Sequence, residues 1–401
     1  MKSNKHPLFK DIGVIAFVPD DWNELWMTRH QIMSRLSKFF HIIWVNPLSD
    51  RSTRLHELNL KRSVFQEITP GLEIYCSSFP KFYKPRILIK LRNKFRANSL
   101  RKHLLRKGIK KTILYIWRPE YVDMLKIVHH DFSCYHIDDE YSFSKEELPI
   151  DKLEEYLIKK VNQVIIHSPG LFEKKGHLNP NTDFITNGVD YKNFSTPVIE
   201  PLDLKEIPHP RIGYVGYIKG QIDLGLLLEL SRNLKTFSFV LVGPIKQNSM
   251  SEEQIHIIDN LKLAPNVYFL GTKSISDLPG YVQHVNICML PYEINSYTNY
   301  IFPLKLYEYL AAGKPVIGSP IRSLIDLKDL IILAKSFDEW LKYIKLMLHP
   351  DYDSNELVLK RKKIAEKFDW NCITSEIAEL FCKGLGKEYH KKFKENILIN
   401  K

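Results

Sequence analysis

The segment 303–320 carries the residue types best suited to chemistry. Pro303 can open a helix because its fixed φ matches the first helical position, and Gly313 can close that helix in the left-handed conformation. The free N–H groups at the start of a helix bind anions. Glu308, about one turn further on, offers a carboxylate that can accept both hydroxyl protons of a ribose. The segment therefore predicts a site for a nucleotide diphosphate.

A plainer interpretation of this segment remains open. Lys305 and Glu308 are three residues apart, which also suits a surface ion pair on an ordinary capped helix. Residues earlier in the chain favour the phosphate site. Gly216 follows a predicted strand and would let the backbone approach a phosphate, and Lys219 can neutralise that phosphate as a point charge.

The chain alternates strands and helices twice, with a proline-rich stretch at 196–210 between the two series. This pattern predicts an α/β protein with parallel sheets covered by helices. We expect a first domain at 1–195, a linker at 196–210, a second domain at 211–368, and a C-terminal helix with a basic tail at 369–401 that is frayed after Lys383. The strands predicted in the first half are 12–18, 42–45, 72–76, 113–117, 134–137, 164–167 and 184–186. Those of the second half are 211–215, 239–242, 267–269, 287–290 and 316–317.

The second half resembles the family-4 glycosyltransferases of GT-B fold (glycosyl transferases group 1), in particular those of bacterial cell-surface polysaccharide and teichuronic-acid type. Residues 211–220, 239–244, 266–273, 278–281, 287–292 and 303–320 carry the resemblance, in that order. It implies two doubly wound Rossmann-like domains facing across a cleft, and a last helix that crosses back to the first domain. The donor-binding residues that it implies are Gly216, Tyr217, Lys219, Gly243, Pro244, Gly271, Thr272, Lys273, Tyr292, Pro303, Leu304, Lys305 and Glu308.

Two positions depart from the family's pattern. Family members usually carry a pair of glutamates eight residues apart; Glu308 is the second, but Tyr300 stands at the first. An arginine often follows the first glycine, and here Tyr217 takes its place. Lys219 and Lys305 are therefore the expected phosphate partners.

The first half matches the family more loosely. His136 and Asp138 lie at the end of a predicted strand and could contact the transferred sugar or the acceptor hydroxyl, although a hydrogen-bonded turn explains them equally well. With Lys219 and Glu308 they form the candidate catalytic set. Arg29 and His30 fall where the family places part of its acceptor site.

Positive charge is concentrated in one block. The chain has 58 Lys and Arg against 46 Asp and Glu, yet the fourteen basic residues between 74 and 118 are accompanied by no acid. Within it, the segment 81–111 spaces Leu88, Leu91 and Phe95 as in a helix. This predicts a basic amphipathic helix that binds an anionic membrane surface, the alternative being that the apolar stripe packs into the domain. Nucleic acid is disfavoured because no recognition motif accompanies the charge.

Composition excludes several classes of protein. No apolar run approaches the length of a membrane span. The five cysteines are scattered and lack metal-type spacing, so we expect reduced thiols, no metal site and a cytoplasmic protein, peripheral on the inner face of the membrane. Asp351 and Asp353 have an Asp-x-Asp form, which we interpret as a surface turn.

The resemblance implies a retaining, metal-independent glycosyltransferase without a cofactor. It would move a sugar from a nucleotide diphosphate donor, UDP being the commonest base, to a polysaccharide or lipid-linked acceptor. Two alternatives remain open: a sugar-nucleotide epimerase or hydrolase, and a non-catalytic GT-B subunit that recruits a partner to the membrane.

Overall fold

The computed structural model describes residues 7–24, 26–48, 64–77, 86–143, 147–349 and 352–399. The chain divides into two units, the first made of residues 1–186 and 370–401, the second of residues 187–369. Each unit is built on its own sheet.

The sheet of the first unit forms because its strands are short apolar runs, as strands covered on both faces must be. The strand Ile12–Phe17 is buried along its whole length. The strand order is β3-β4-β2-β1-β5-β6-β7-β8, and all pairs are parallel except β3 with β4. The strands are β1 Ile12–Phe17, β2 His41–Val45, β3 Val64–Thr69, β4 Leu72–Cys76, β5 Lys111–Ile116, β6 Phe132–Ile137, β7 Gln163–Ile166 and β8 Thr182–Phe184.

The helices that accompany this sheet come from both ends of the chain. They are α1 Thr28–Leu36, α2 Arg86–Arg106, α3 Met124–Ile127, α4 Lys152–Lys160 and α5 Pro169–Lys175. The C-terminal segment adds two more, which are numbered α15 Trp370–Leu385 and α16 Lys387–Ile399 in chain order. Phe381 of α15 lies against Phe40 and Tyr115 of the sheet unit, with ring centroids 6.2 and 5.2 Å apart.

The second unit repeats the pattern with the strand order β11-β10-β9-β12-β13-β14, all parallel. Its strands are β9 Arg211–Val215, β10 Ser238–Val242, β11 Val267–Gly271, β12 Ile287–Leu290, β13 Val316–Gly318 and β14 Ile332–Leu333. Its helices are α6 Tyr191–Ser195, α7 Leu202–Lys205, α8 Leu224–Asn233, α9 Glu252–Leu263, α10 Leu278–Gln283, α11 Leu304–Ala311, α12 Arg322–Ile325, α13 Phe337–Met347 and α14 Asn355–Lys367.

The segment 187–210 belongs to the second unit, whereas the sequence assigns it to the end of the first domain and a linker. Contacts within the second unit hold it there. The N–H of Val189 donates to the carbonyl of Phe368 at 2.9 Å, and the buried Arg211 donates from Nε to the carbonyl of Ile207 at 2.7 Å. Asp203 of α7 pairs with Lys273 after β11.

The expectation that the basic tail is frayed is wrong. The sequence predicts frayed residues after Lys383, but α16 is a regular helix packed on the first unit. Phe393 is buried and lies 5.8 Å from Phe39 between ring centroids, and the hydroxyl of Tyr389 donates to Asp11 at 2.9 Å.

Helix α2 is the predicted basic helix, and its predicted apolar stripe faces solvent. The part that begins at Arg86 is described, and 81–85 lies outside the described residues. Leu100 and Leu104 are buried, while Leu88, Leu91 and Phe95 are 41%, 46% and 57% exposed. The predicted stripe therefore does not pack into the domain. Among the described helices, none combines the length and the apolar character needed to cross a membrane.

Candidate functional site

The carboxyl ends of three neighbouring strands in the second unit are tied together through glycines. The N–H of Gly216, after β9, donates to the carbonyl of Val242 at 2.7 Å, and the N–H of Gly243, after β10, donates to the carbonyl of Gly271 at 2.8 Å. Gly216 and Gly243 have φ values of +143° and +138°, which side chains rarely allow. A Cβ on Gly243 would overlap the carbonyl oxygen of Gly216. The turns are thus open, backbone-lined surfaces.

Lys305, at the start of α11, brings its amino group to the first of these turns. A Cβ on Gly216 would overlap the Lys305 side chain. The Nζ lies 5.0 Å from the centroid of the Tyr214 ring, a cation–π distance. A lysine ammonium beside an open backbone turn and a helix start is an arrangement that suits a phosphate group.

Two tyrosines lie beside the ammonium of Lys305. Its positive charge acts on the hydroxyl of Tyr292, and its Nζ faces the ring of Tyr214. The hydroxyl of Tyr214 donates to the backbone carbonyl of Tyr217 at 2.9 Å. Burial raises the pKa of Tyr292 and of Tyr214, so both remain hydroxyl donors at neutral pH. Sequence reasoning selected Tyr292 and Tyr217 but not Tyr214.

Glu308 lies one turn after Lys305 and is partly exposed. Burial raises the pKa of its carboxyl to about 7, an increase that the positive charge of Lys305 partly opposes. Within the part of the chain that the structure describes, no hydrogen bond to this carboxylate is found, so its oxygens are available to a ligand hydroxyl.

Helix α11 is fixed at both ends, which places Lys305 and Glu308. The hydroxyl of Tyr309 accepts the N–H of Val215 at 2.9 Å and so ties the helix to the end of β9. Gly313 has a φ of +75° and closes the helix as the sequence predicts, and its carbonyl accepts Nε of the buried Arg361 at 2.9 Å. Pro303 stands at the N-cap, one position before the place predicted for it, and β13 follows.

The loop after Gly216 pairs with the loop after β12. Ile222 and Tyr292 form an antiparallel bridge, and the N–H of Glu293 donates to the carbonyl of Gln221 at 3.0 Å. Lys219 lies in this loop and is partly exposed. Sequence reasoning missed Glu293, whose pKa is raised by burial and by the nearby Asp223 and Glu253. Its place after the predicted strand 287–290 was the available signal.

Lys273 and Thr272 are further from this cluster of contacts. Lys273 forms an ion pair with Asp203, the Nζ–Oδ2 distance being 2.6 Å, and lies 5.4 Å from the Tyr281 ring. The hydrogen bond to Asp203 raises the pKa of Lys273, so its charge is already compensated. Thr272 is exposed after β11.

In the first unit, Arg29 and Asp138 are brought together. The Arg29 guanidinium pairs with Asp138, after β6, and with Asp20, after β1. Burial by itself would raise the pKa of Asp138, but Arg29 and Arg118 hold it below its usual range, so the carboxylate is ionised. The hydroxyl of Tyr141 also donates to Asp138.

His136 and His30 are enclosed by aromatic rings. His136 is stacked on Trp117 at 4.1 Å and hydrogen bonded to the hydroxyl of Tyr115 at 2.7 Å. Burial lowers the pKa of His136 to about 3, so it is neutral at physiological pH. The Nδ1 of His30 accepts the N–H of Met27, and its ring is 4.6 Å from that of Trp44.

No group of three or more His, Cys, Asp or Glu side chains in the described ranges has a metal-binding arrangement. Asp353 instead pairs with the buried Arg361, whereas Asp351 lies outside the described residues.

Comparison with known proteins adds three findings. Residues 209–349 match the family model of glycosyl transferases group 1. TuaH of Bacillus subtilis (strain 168), named as a teichuronic acid biosynthesis glycosyltransferase, is 30% identical over 201 residues, which cover 48% of this chain and 49% of TuaH. The chain thus spans about half the length of that curated relative.

Solved structures agree over far more of the chain. Anabaena Alr3699/HepE in complex with UDP and glucose matches 93% of this chain and 99% of its own, with a TM-score of 0.67 and 15% identity. A trehalose-6-phosphate protein from E. coli bound with UDP-2-fluoro glucose matches 93% of this chain and 98% of its own, with a TM-score of 0.67 and 10% identity.

The fold is that of the GT-B glycosyltransferases. The α/β class and the family resemblance predicted from the sequence are both confirmed. The match to glycosyl transferases group 1 covers β9 to α13 of this GT-B chain, and so includes Gly216, Lys305 and Glu308.

Proposed function

We propose that the protein is a glycosyltransferase that takes a sugar from a nucleotide diphosphate donor, with UDP as the nucleotide, and passes it to a glycan or lipid-linked acceptor. The observation that carries the proposal is the amino group of Lys305 held beside the Gly216 turn, with the Glu308 carboxylate one turn further along α11. The solved GT-B proteins with UDP, and the naming of TuaH, support the choice of donor and of acceptor class.

In this proposal the diphosphate lies over the Gly216 and Gly243 turns, where Lys305 and Lys219 compensate its charge. Glu308 accepts the ribose hydroxyls. The bond between the sugar carbon and the diphosphate oxygen breaks, the acceptor oxygen attacks that carbon, and the departing diphosphate takes the acceptor proton. Because lysines and backbone N–H groups stabilise the leaving charge, the step needs no metal ion or cofactor. Retention of configuration follows if the acceptor enters on the face that the diphosphate leaves. Arg29 and Asp138 are proposed for the acceptor side.

The first test is binding of UDP-glucose, UDP-glucuronate and UDP-N-acetylglucosamine, measured by calorimetry on the wild type and two variants. Glu308→Gln and Lys305→Gln should each weaken binding at least tenfold. Glu229→Gln, on the exposed face of α8, is the matched control and should bind normally. Unchanged affinity in both site variants would contradict the donor site.

Turnover separates transfer from the two alternatives. Sugar consumed only when an acceptor is supplied supports transfer, whereas consumption without acceptor supports an epimerase or hydrolase. Absence of any nucleotide binding by the intact chain would support a non-catalytic subunit.

We further propose that the protein attaches to an anionic membrane surface from the cytoplasmic side through α2. Ile87, Leu88, Leu91 and Phe95 are between 41% and 65% exposed, and Lys90 and Lys94 are exposed among them. Apolar side chains interleaved with lysines suit a bilayer with anionic headgroups. The other exposed basic residues of this region are Arg101, Lys102, Arg106, Lys107 and Lys110.

Flotation with vesicles that contain phosphatidylserine tests the attachment. The double variant Leu91→Asn/Phe95→Asn should lose most of the bound fraction, while Leu263→Asn, even more exposed on α9, should not. Equal binding of all three proteins would exclude α2 as the attachment surface.

A further inference from the structure

Helix α2 turns two arginines toward the inside of the first unit. Arg92 and Arg96, one turn apart, are 8% and 2% exposed. Within the described residues, the Nε and one terminal nitrogen of Arg96, and one terminal nitrogen of Arg92, have no hydrogen-bond partner. A buried guanidinium with unsatisfied donors is costly, because the hydration it loses on burial is not replaced. These donors are therefore suited to a ligand that accepts hydrogen bonds.

The described groups that face Arg96 supply no negative charge. Its Cζ lies 5.7 Å from the centroid of the Phe17 ring, and the titratable groups that influence it are Tyr75, Tyr121 and Arg92. Among the residues that the structure describes, Arg92 donates only to the amide oxygen of Asn93, at 3.2 and 3.1 Å. Burial lowers the pKa of both arginines, and within the described ranges no carboxylate lies within ion-pair distance of either.

The two arginines lie at the edge of the sheet where ligands bind in this class of fold. Leu104 packs at Gly13, near the start of β1. Arg96 precedes Leu104 by eight residues, which is about 12 Å along the axis of α2. From Gly13 to Phe17, β1 extends roughly 13 Å. Because the two lengths agree, Arg96 is level with the carboxyl end of β1. Arg92 lies a turn beyond it. The strand order reverses at β1, between β2 and β5, and open parallel sheets bind ligands at that point.

We propose that Arg92 and Arg96 form a phosphate-binding site in the first unit, and that the phosphate belongs to the acceptor substrate; the second clause rests on the proposed glycosyltransferase activity. Two guanidinium groups match the double charge of a phosphate monoester, whereas a carboxylate would neutralise only one of them. Their planar donor arrays also suit phosphate oxygens. Two sources supply this chemistry, a phosphate carried on a lipid and a soluble phosphate ester.

Thermal shift with inorganic phosphate, against sodium chloride at matched ionic strength, tests the site directly. The wild type should gain stability from phosphate beyond the effect of chloride. Arg92→Gln and Arg96→Gln should lose this gain, and Arg101→Gln, an exposed arginine of the same helix, should keep it. An identical response of all four proteins would overturn the proposal.

A second comparison separates a binding site from a structural role. Arg96→Met removes an unpaired buried charge, so it should melt at or above the wild-type temperature without phosphate while no longer responding to it. A variant that is folded but melts well below wild type would show that Arg96 supports the fold, and would overturn the assignment.

The same samples identify the source of the phosphate and keep the two proposals apart. Dodecyl phosphate below its micellar concentration should bind at least tenfold more tightly than methyl phosphate if the natural ligand is lipid-borne, and equally if it is soluble. UDP-glucose binding measured in parallel should be unchanged in the arginine variants. A wild type that does not bind UDP-glucose would count against the donor site alone. A wild type that does not respond to phosphate would count against the Arg92–Arg96 site alone.

Discussion

Lys305 and Glu308 lie on one face of α11, and their surroundings affect them differently. The ammonium of Lys305 lies 5.0 Å from the centroid of the Tyr214 ring, whereas the carboxyl of Glu308 is partly buried with a pKa raised to about 7. An acid that ionises near neutral pH makes both binding and stability depend on pH in this range.

Donor affinity should therefore rise with pH. If the ionised Glu308 binds the ribose, the affinity for UDP-glucose should increase about tenfold from pH 6 to pH 8, since the ionised fraction rises by that factor around a pKa near 7. Calorimetry at several pH values measures this. Glu308→Gln should give a flat profile, and a wild-type profile that is equally flat would refute the role of the carboxylate.

Stability should change in the opposite direction. The pKa of Glu308 is higher in the folded protein than its ordinary value of 4.5, so the folded state binds more protons between these values and loses stability as pH rises through them. Glu308→Gln should gain roughly 3 kcal/mol over the wild type at pH 8 and little at pH 4.5. Denaturant melts at both values provide the measurement. A gain that is independent of pH would point to packing instead.

Substitution of Gly243 tests whether the backbone turn after β10 contributes to the donor site. Gly243→Ala places a Cβ against the carbonyl oxygen of Gly216 at a φ of +138°, so the variant should lose roughly 1–3 kcal/mol of stability and bind UDP-glucose poorly. Gly108→Ala is a useful control, because its φ is also positive but its Cβ would meet no atom within 4 Å. Equal losses of binding in the two variants would argue against a specific role for this turn.

At the scale of secondary structure, α2 is the element whose orientation separates packing from function. Its second half buries Leu100 and Leu104, the latter against Gly13 of β1, while its first half exposes Leu88 and Leu91. A helix that only served the core would present its leucines to the sheet throughout.

Alanine substitutions along α2 should show this division. Leu100→Ala should destabilise the protein by about 2–5 kcal/mol, because it leaves a cavity in the core. Leu91→Ala should change stability by less than about 0.5 kcal/mol. Chemical denaturation measures both. A large loss from Leu91→Ala would mean that its face is covered in solution.

At the scale of the whole chain, the first unit is made of two separate segments and the second of one. The second is one uninterrupted segment with its own core, and it contains every residue proposed for the donor site. The first is completed by residues 370–401, whose Phe381 and Phe393 are buried in it.

A fragment of residues 187–369 should therefore fold by itself and bind UDP-glucose within about tenfold of the full chain. A fragment of residues 1–186 should not fold, because Phe40 and Tyr115 would lose the ring of Phe381 that covers them. Circular dichroism melts and calorimetry decide both points. An unfolded 187–369 fragment would show that its stability depends on the rest of the chain.

Local chemistry in the sequence determined the α/β class, the helix and strand after Pro303, and the glycine turns after β9 and β10. Each depends on short-range constraints: a fixed proline φ, a glycine that can adopt positive φ, and apolar runs of strand length. The roles of Lys305, Glu308 and Lys219 as ligands remain predictions.

Only the tertiary structure decided which way α2 faces and that the C-terminal tail is a helix. Apolar and basic residues lie on several sides of α2, so its rotation depends on what the sheet presents: Leu104 fits over the bare Gly13, and this turns Arg92 and Arg96 inward. The helix α16 is held by Phe393 against Phe39 and by Tyr389 against Asp11, residues more than 300 positions away in sequence. Contacts between such distant residues leave no periodicity in the local sequence, because their energies arise only when the chain is folded.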